Sequence, residues 1–295
     1  MRSLSYTAEI CDGNLRLELI LKRKLGLTEK QIRQLKFLND GITVNGMKSR
    51  TNREIQAGDM IRVTFSDVNR RQSHVVPDHK PLRILYEDED LIAIDKDAGE
   101  ICHPSHGHYN DTLANHISAL LSSRGEQNPL PRCIGRLDKD TSGILVFAKN
   151  PLAAQRLILQ REKGLFYKEY LALVNGSFPK EHLSGLISVP IAHLPGSLMK
   201  MYPSPDGKKA ETHYQVLCSD SVCSLIRCRI FTGRTHQIRV HMASVGHPLI
   251  GDPLYGQDRA VTSSRTALHA WKLHFHQPVT GEQLVLESFR TNMFC

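Results

Sequence analysis

Residues 135 to 143 read Gly-Arg-Leu-Asp-Lys-Asp-Thr-Ser-Gly and run directly into the apolar stretch Ile144-Leu145-Val146-Phe147-Ala148. A charged loop at the mouth of a buried strand is a place to hold a reactive carboxylate, because the strand fixes the backbone while the loop leaves side chains open to a substrate. Asp138 is the foremost candidate, the alternative being an ordinary turn or cap residue. Paired with Asp140 it would suit glycoside or nucleoside hydrolysis, in which carboxylates stand about 5 to 9.5 Å apart across the bond being cut. Two residues of one loop can meet that distance but hardly flank a sugar. A second polar block, Thr232 to Gly256, carries Arg239 together with His236, His241 and His247. Five helical residues rotate a side chain by about 140°, so His236 and His241 point apart and no metal site is expected.

Periodicity shows which elements must position these groups. Ile144 to Ala148 reads as a buried strand, after which Asn150 caps and Pro151 opens a helix running to about Lys163. Phe166, Lys168, Tyr170 and Ala172 alternate onto one side of a strand, and Leu225 to Ile230 forms another. Thr235 is expected to cap a helix with Ile238, Met242 and Val245 on one face, ended by Gly246. Nearer the N-terminus, Leu17, Ile20, Leu21 and Leu25 follow helical spacing before Gly26. Thr28 and Gln31 form a capping box for a second helix bearing Ile32, Leu35 and Leu38. Lys30, Arg33 and Lys36 make a basic stripe along it, whose plainer explanation is a solvated face. Val44, an Asn45-Gly46 turn and the alternating Ile61, Val63 and Phe65 then predict short strands. Residues 67 to 81, polar and containing Pro77 and Pro81, read as a linker.

The chain has 295 residues, 23% of them charged and 40% hydrophobic, as in a globular protein of one or two domains. No apolar run approaches the roughly 18 residues that span a bilayer, and no basic-then-apolar leader opens the chain, so the cytoplasm is the expected compartment. Seven cysteines without a Cys-x-x-Cys pair argue against a disulfide framework. The formal charge of +8 favours a polyanionic partner. From Asp12 to Phe65 eleven Lys/Arg face six Asp/Glu, so much of the excess lies in a short segment suited to gripping RNA.

Residues 136 to 143 resemble the Arg-Leu-Asp-x-x-Thr-Ser-Gly signature of RluA-type pseudouridine synthases, and residues 232 to 256 resemble the third motif of that family. Lys168 to Gly176 looks like the family strand bearing its active-site tyrosine, and Asp88 to Lys96 with Ala98-Gly99 like the opening of its catalytic domain. The resemblance covers roughly residues 82 to 290. It implies an α+β fold with a mixed, mainly antiparallel central sheet and flanking helices over residues 82–295. Residues 12–66 resemble, more weakly, the small alpha-L RNA-binding module shared with a ribosomal small-subunit protein.

The implied activity is isomerisation of uridine in RNA, with large-subunit ribosomal RNA expected as substrate, transfer RNA as the alternative, and a monomeric enzyme. A non-catalytic RNA-binding protein is the competing class. The uracil ring can hold the electrons of the broken bond to the sugar, so a carboxylate and a shaped pocket suffice and no cofactor is expected. By resemblance, Asp138 starts the reaction by attacking sugar or base or by taking a sugar proton. Arg239 is its counter-charge, and Tyr170 lies against the base and assists removal of the proton from the newly bonded carbon. Ile238 packs on the uracil, and Arg136 fills the stack that the flipped base leaves. Lys30, Arg33 and Lys36 would contact RNA. Two departures stand out: Gly135, where many members have His, and Asp97, where proline is common.

Overall fold

The Thr28–Gln31 capping box forms as the sequence predicts. Thr28 Oγ1 accepts from Gln31 N at 3.3 Å, while Gln31 Oε1 accepts from Thr28 N at 3.1 Å. The computed structural model describes residues 2–65, 80–105, 107–256 and 265–290. The predicted linker, residues 67 to 81, lies outside them apart from Lys80 and Pro81. The chain divides into two compact units, one of Met1–Ser73 with Asn150–Leu152 and the other of His74–Lys149 with Ala153–Cys295.

In the first unit, β1 (Arg2–Thr7), α1 (Leu17–Arg23), α2 (Glu29–Leu35), β2 (Ile42–Val44), β3 (Met47–Lys48) and β4 (Met60–Phe65) follow in order, and the strands pair antiparallel as β1-β4-β2-β3. Leu17, Ile20 and Leu21 of α1, Ile32 and Leu35 of α2, and Val44, Ile61 and Val63 of the sheet are all buried, each such side chain contributing about 1.5 to 3 kcal/mol. The unit begins well before residue 12, because β1 pairs with β4 along its whole length. Its sequence, Arg-Ser-Leu-Ser-Tyr-Thr, carries too little apolar contrast to announce an edge strand. Helix α1 stops at Arg23, short of Leu25, and Gly26 takes a left-handed φ of 66° just beyond.

The second unit contains β5 (Ile84–Glu87), β6 (Leu91–Lys96), α3 (Leu113–Ser123), β7 (Arg132–Ile134), β8 (Ser142–Ala148), α4 (Pro151–Glu162) and β9 (Tyr167–Asn175). These are followed by β10 (Ser184–Ser188), β11 (Ile191–His193), β12 (Met201–Pro203), β13 (Glu211–Ser219), β14 (Cys223–Ile230), α5 (Gln237–Ser244), β15 (Leu268–His276) and β16 (Gln283–Glu287). One large sheet runs β10-β13-β14-β9-β15-β8-β6-β5, antiparallel throughout except for the parallel seam between β15 and β8. The fold is therefore α+β with a mixed, mainly antiparallel sheet. All seven residues of β8 are buried because both faces of the sheet are covered. Leu145 and Phe147 pack with Leu113 and Ile117 of α3 and Ile238 and Met242 of α5, while Ile144 and Val146 pack with Ala153 and Leu157 of α4. Tyr170 and Ala172 join the first cluster, but Phe166, which precedes β9, belongs to the second. The alternation therefore holds only from Lys168 onward.

Gly143 is what allows the seam. A Cβ there would stand 2.2 Å from the carbonyl oxygen of Ala270, its partner in the parallel register, and its φ is 110°. Ala270 also pairs with Tyr170 on its other side, so Tyr170, Ala270 and Gly143 form one row across three strands. The Asp138 loop and the Tyr170 strand thereby meet at the middle of the sheet.

Candidate active site

The loop from Gly135 to Thr141 joins β7 to β8 and is fastened from beneath by Lys96. That lysine is fully buried, and its Nζ donates to the carbonyls of Asp97 at 2.8 Å, Lys139 at 2.7 Å and Thr141 at 2.8 Å. Burial works against its charge and pulls its pKa down to about 8. The loop closes on itself through Thr141 N, which donates to the carbonyl of Asp138 at 3.1 Å.

Asp138 projects from this loop with its side chain 26% exposed, and its Oδ2 lies 3.7 Å from Nη1 of Arg239. The predicted partnership is present, but Arg239 is held mainly by a residue that sequence reasoning did not single out. Asp252, with a side chain wholly shielded from solvent, accepts from Arg239 Nε and Nη2 at 2.7 Å each. Its Oδ1 also accepts from Leu254 N at 2.9 Å and Tyr255 N at 3.2 Å, so the carboxylate is oriented before it meets the guanidinium. Burial opposes the charge of Arg239, but the Asp252 hydrogen bonds and charge, with Asp138 behind them, outweigh it and raise its pKa.

The helix bearing Arg239 starts differently from expectation. Its N-cap is His236 in the left-handed region, φ 54°, and Thr235 does not cap it. Thr235 Oγ1 instead accepts from Nη2 of Arg136 at 2.9 Å, tying the two sequence blocks together. Val245 falls at the C-cap and is exposed, so of the three residues expected on the apolar face only Ile238 and Met242 are buried. His241 Nε2 donates to the carbonyl of Val189, and its Nδ1 shares a hydrogen bond with Thr212 Oγ1, at 2.9 Å each. His247 Nδ1 lies 2.9 Å from the carbonyl of Asn175. These two histidines are occupied by packing contacts.

Asp138, Arg136, Tyr170, Ile238 and Arg239 all line one cavity of about 540 Å³, a size suited to a small ligand or a single nucleotide. Asp138 is its sole carboxylate among the described residues, facing Arg136, Arg161, Lys168, Arg229, Arg234 and Arg239. Tyr170 is buried, and its hydroxyl has no hydrogen-bond partner among the described residues. Burial first, and the negative charge of Asp138 second, raise its pKa, so it is a neutral phenol at physiological pH. Lys168, two residues earlier on β9, is also buried with its Nζ unpaired among the described residues, and desolvation lowers its pKa to about 8. Ile238 is at once a cavity wall and a core residue. Lys30, Arg33 and Lys36 belong to the first unit and are exposed, the first two on α2 and Lys36 at its C-cap.

Asp252 was the most findable of the missed residues, since it sits inside the block from 232 to 256 ahead of a proline. Lys96 gave no local signal, because the Lys139 and Thr141 carbonyls of a loop more than forty residues on reach it only in the fold.

Residues 90–244 match the family model described as RNA pseudouridylate synthase. The chain is 40% identical over 257 residues to a ribosomal large subunit pseudouridine synthase D of Nitrosomonas europaea, covering 84% of this chain and 73% of that protein. It is 37% identical over 255 residues to an uncharacterized RNA pseudouridine synthase of Bacillus subtilis, covering 85% and 83%. Among solved structures, the human RNA pseudouridylate synthase domain containing 1 is similar with a TM-score of 0.56 and 26% identity, covering 71% of this chain and 84% of that one.

Proposed function

Because this chain belongs to the RNA pseudouridylate synthase family and isomerises uridine to pseudouridine, we propose that it does so in the Asp138 cavity and on large-subunit ribosomal RNA. The observation that carries the site is the lone carboxylate of a cationic cavity, 3.7 Å from an arginine that is itself clamped by Asp252. The choice of RNA rests on the relatives named as ribosomal large subunit pseudouridine synthases, at 36 to 40% identity.

The bond from base nitrogen to sugar must break, the base must turn, and a ring carbon must join the sugar; that carbon then loses its hydrogen as a proton while the freed ring nitrogen takes one up, so nothing is gained or lost overall. Asp138 starts this sequence, attacking sugar or base or removing a sugar proton. Arg239 supports its negative charge without neutralising it by a tight pair, since the closest approaches of the guanidinium go to Asp252. Ile238 gives the uracil an apolar wall. Tyr170 lays its ring beside the base and offers a hydroxyl hydrogen. Burial and the charge of Asp138 oppose the phenolate, so donation is its natural part and proton removal is not. Arg136, exposed at the rim and held by Thr235, fills the stack when the target uridine turns out. The first unit, through Lys30, Arg33 and Lys36, adds sequence-independent grip on phosphates.

The test is incubation of unmodified large-subunit ribosomal RNA transcript with the protein, followed by mapping of pseudouridine. Mass-silent conversion at defined uridines is expected. Release of free uracil would mean hydrolysis, and conversion confined to transfer RNA would overturn the choice of substrate.

A further inference from the structure

Most cations around the cavity already have an occupation within the protein. Arg239 is clamped by Asp252, Arg136 donates to Thr235, Arg234 Nε donates to the carbonyl of Lys209 at 2.8 Å, and Arg229 stacks 3.8 Å above the ring of Tyr167. Arg161 differs. It leaves the last turn of α4, is exposed, and makes no hydrogen bond or ion pair among the described residues, yet its guanidinium reaches back to line the cavity.

Two glycines make room for it. A Cβ on Gly233 would stand 2.2 Å from Nη2 of Arg161, and a Cβ on Gly135 would stand 3.5 Å from Nη1. Gly135 precedes Arg136 in the loop that carries Asp138, and Gly233 precedes Arg234 in the loop leading to α5. The guanidinium therefore lies over the two loops that form the cavity mouth, within van der Waals contact of a Cβ at Gly135 and in space that a side chain at Gly233 would invade.

We infer that Arg161 is a phosphate-binding residue for the RNA substrate, seated over Gly135 and Gly233 to take the backbone of the nucleotide that enters the cavity. A planar guanidinium presents two parallel N–H donors that match two oxygens of a phosphodiester. With no carboxylate on it, the incoming phosphate displaces nothing. The surrounding cations, opposed only by Asp138, make the mouth attractive to an anion of this kind. This inference rests on the RNA-modifying role proposed above, but its binding arm reads independently of turnover.

The experiment measures binding of the unmodified large-subunit ribosomal RNA transcript over a salt series, and single-turnover conversion of the same transcript, for Arg161→Ala, Arg161→Lys, Gly233→Ala and the Arg161→Ala/Gly233→Ala double variant. Gly233 does not have a left-handed φ, and the neighbour its methyl would meet is the far end of a flexible side chain, so Gly233→Ala folds and simply displaces the guanidinium. Loss of one charge-assisted contact weakens binding about tenfold and lowers the log–log salt slope by about 0.7 to 0.9. Arg161→Ala should show both effects with the rate at saturating RNA nearly unchanged. Arg161→Lys should keep the slope and part of the affinity. Gly233→Ala should mimic Arg161→Ala, and the double variant should be no worse than either. An unchanged salt slope in Arg161→Ala, a loss confined to the saturated rate, or losses that multiply in the double variant would each overturn the assignment. Failure of the wild-type protein to convert uridine in this transcript would count against the proposed function, while the binding series would still decide Arg161.

Discussion

Replacing Asp252 by Asn should separate what the Arg239 clamp does for the fold from what it does for the reaction. Asn keeps the size of the side chain and an oxygen for Leu254 N and Tyr255 N, but it leaves a buried guanidinium without its 2.7 Å carboxylate contacts. Removing one partner of a buried pair costs about 3 to 5 kcal/mol, and the conservative shape of Asn puts the expected loss near about 3 kcal/mol. For a chain of this size that corresponds to a fall in Tm of about 6 to 12 °C. At 3.7 Å and an effective dielectric near 20, Arg239 and Asp138 attract by about 4 kcal/mol before solvent screening, and the 26% exposure of Asp138 leaves about 1 to 3 kcal/mol of it. Freed from Asp252, the guanidinium closes onto Asp138 and masks the carboxylate, and a displacement of about 1 Å at a reacting group costs about a hundredfold in rate. Tritium release from RNA labelled at the ring carbon that joins the sugar measures turnover, and thermal melting measures stability. The companion variant Arg239→Met/Asp252→Leu removes both charges, so it should regain most of the stability while remaining inactive. Full turnover in Asp252→Asn, or an active double variant, would refute the reasoning.

Asp138→Asn should abolish tritium release while leaving RNA affinity within about twofold, since shape and hydrogen bonding are kept; turnover near the wild-type rate would remove Asp138 from the chemistry. Tyr170→Phe keeps the ring and loses only the hydroxyl, so a rate loss of about a hundredfold at unchanged affinity is expected. Because the phenol stays protonated, the wild-type rate profile should show no Tyr170 limb below pH 10, and a limb that vanishes in Tyr170→Phe would contradict this. Lys168 is charged in the unfolded chain below its ordinary 10.5 but has a folded pKa of about 8, so at pH 7 its burial costs up to about 3 kcal/mol. Lys168→Met should therefore raise stability at pH 7. The wild type should gain stability as pH climbs from 8 to 10.5, and denaturant titrations showing no such rise relative to Lys168→Met would defeat the point. A fragment beginning at Lys80 should fold by circular dichroism and bind RNA with a shallower salt slope; an unfolded fragment would mean that the boundary between the units is misplaced.

Sequence alone exposed what is local in this protein. The Thr28–Gln31 box, the Asn45-Gly46 turn, the buried β8 and the alternation from Lys168 to Ala172 are each settled within a few residues, and each is present. The Asp138 loop was visible because polar and apolar residues change over abruptly at its end. What escaped depends on partners far apart in the chain. Thr235 looked like a helix cap, but it is drawn to Arg136, 99 residues away. Arg239 looked like a partner for Asp138 alone, because nothing in the spacing says that the turn after Leu249 brings a carboxylate back under the helix. Arg161 reads as an ordinary solvated helix residue until Gly233 is known to lie against its tip.

The parallel seam of β8 and β15 carries a consequence for how the protein is made. His269 and Ala270 pair with Ser142 and Gly143, so the central joint of the sheet closes a loop of well over a hundred residues. Long-range pairings of this kind form late, after the entropy of closing the loop has been met by other contacts. On the ribosome, β8 and β9 therefore emerge while the strand that must lie between them is still unmade, and their exposed edges have to wait for it. The row from Tyr170 through Ala270 to Gly143 cannot exist until then. A nascent chain lacking β15 should have the Asp138 loop in its sequence but no organised cavity around it, so that the capacity to modify RNA arrives in one step with the last pieces of the sheet.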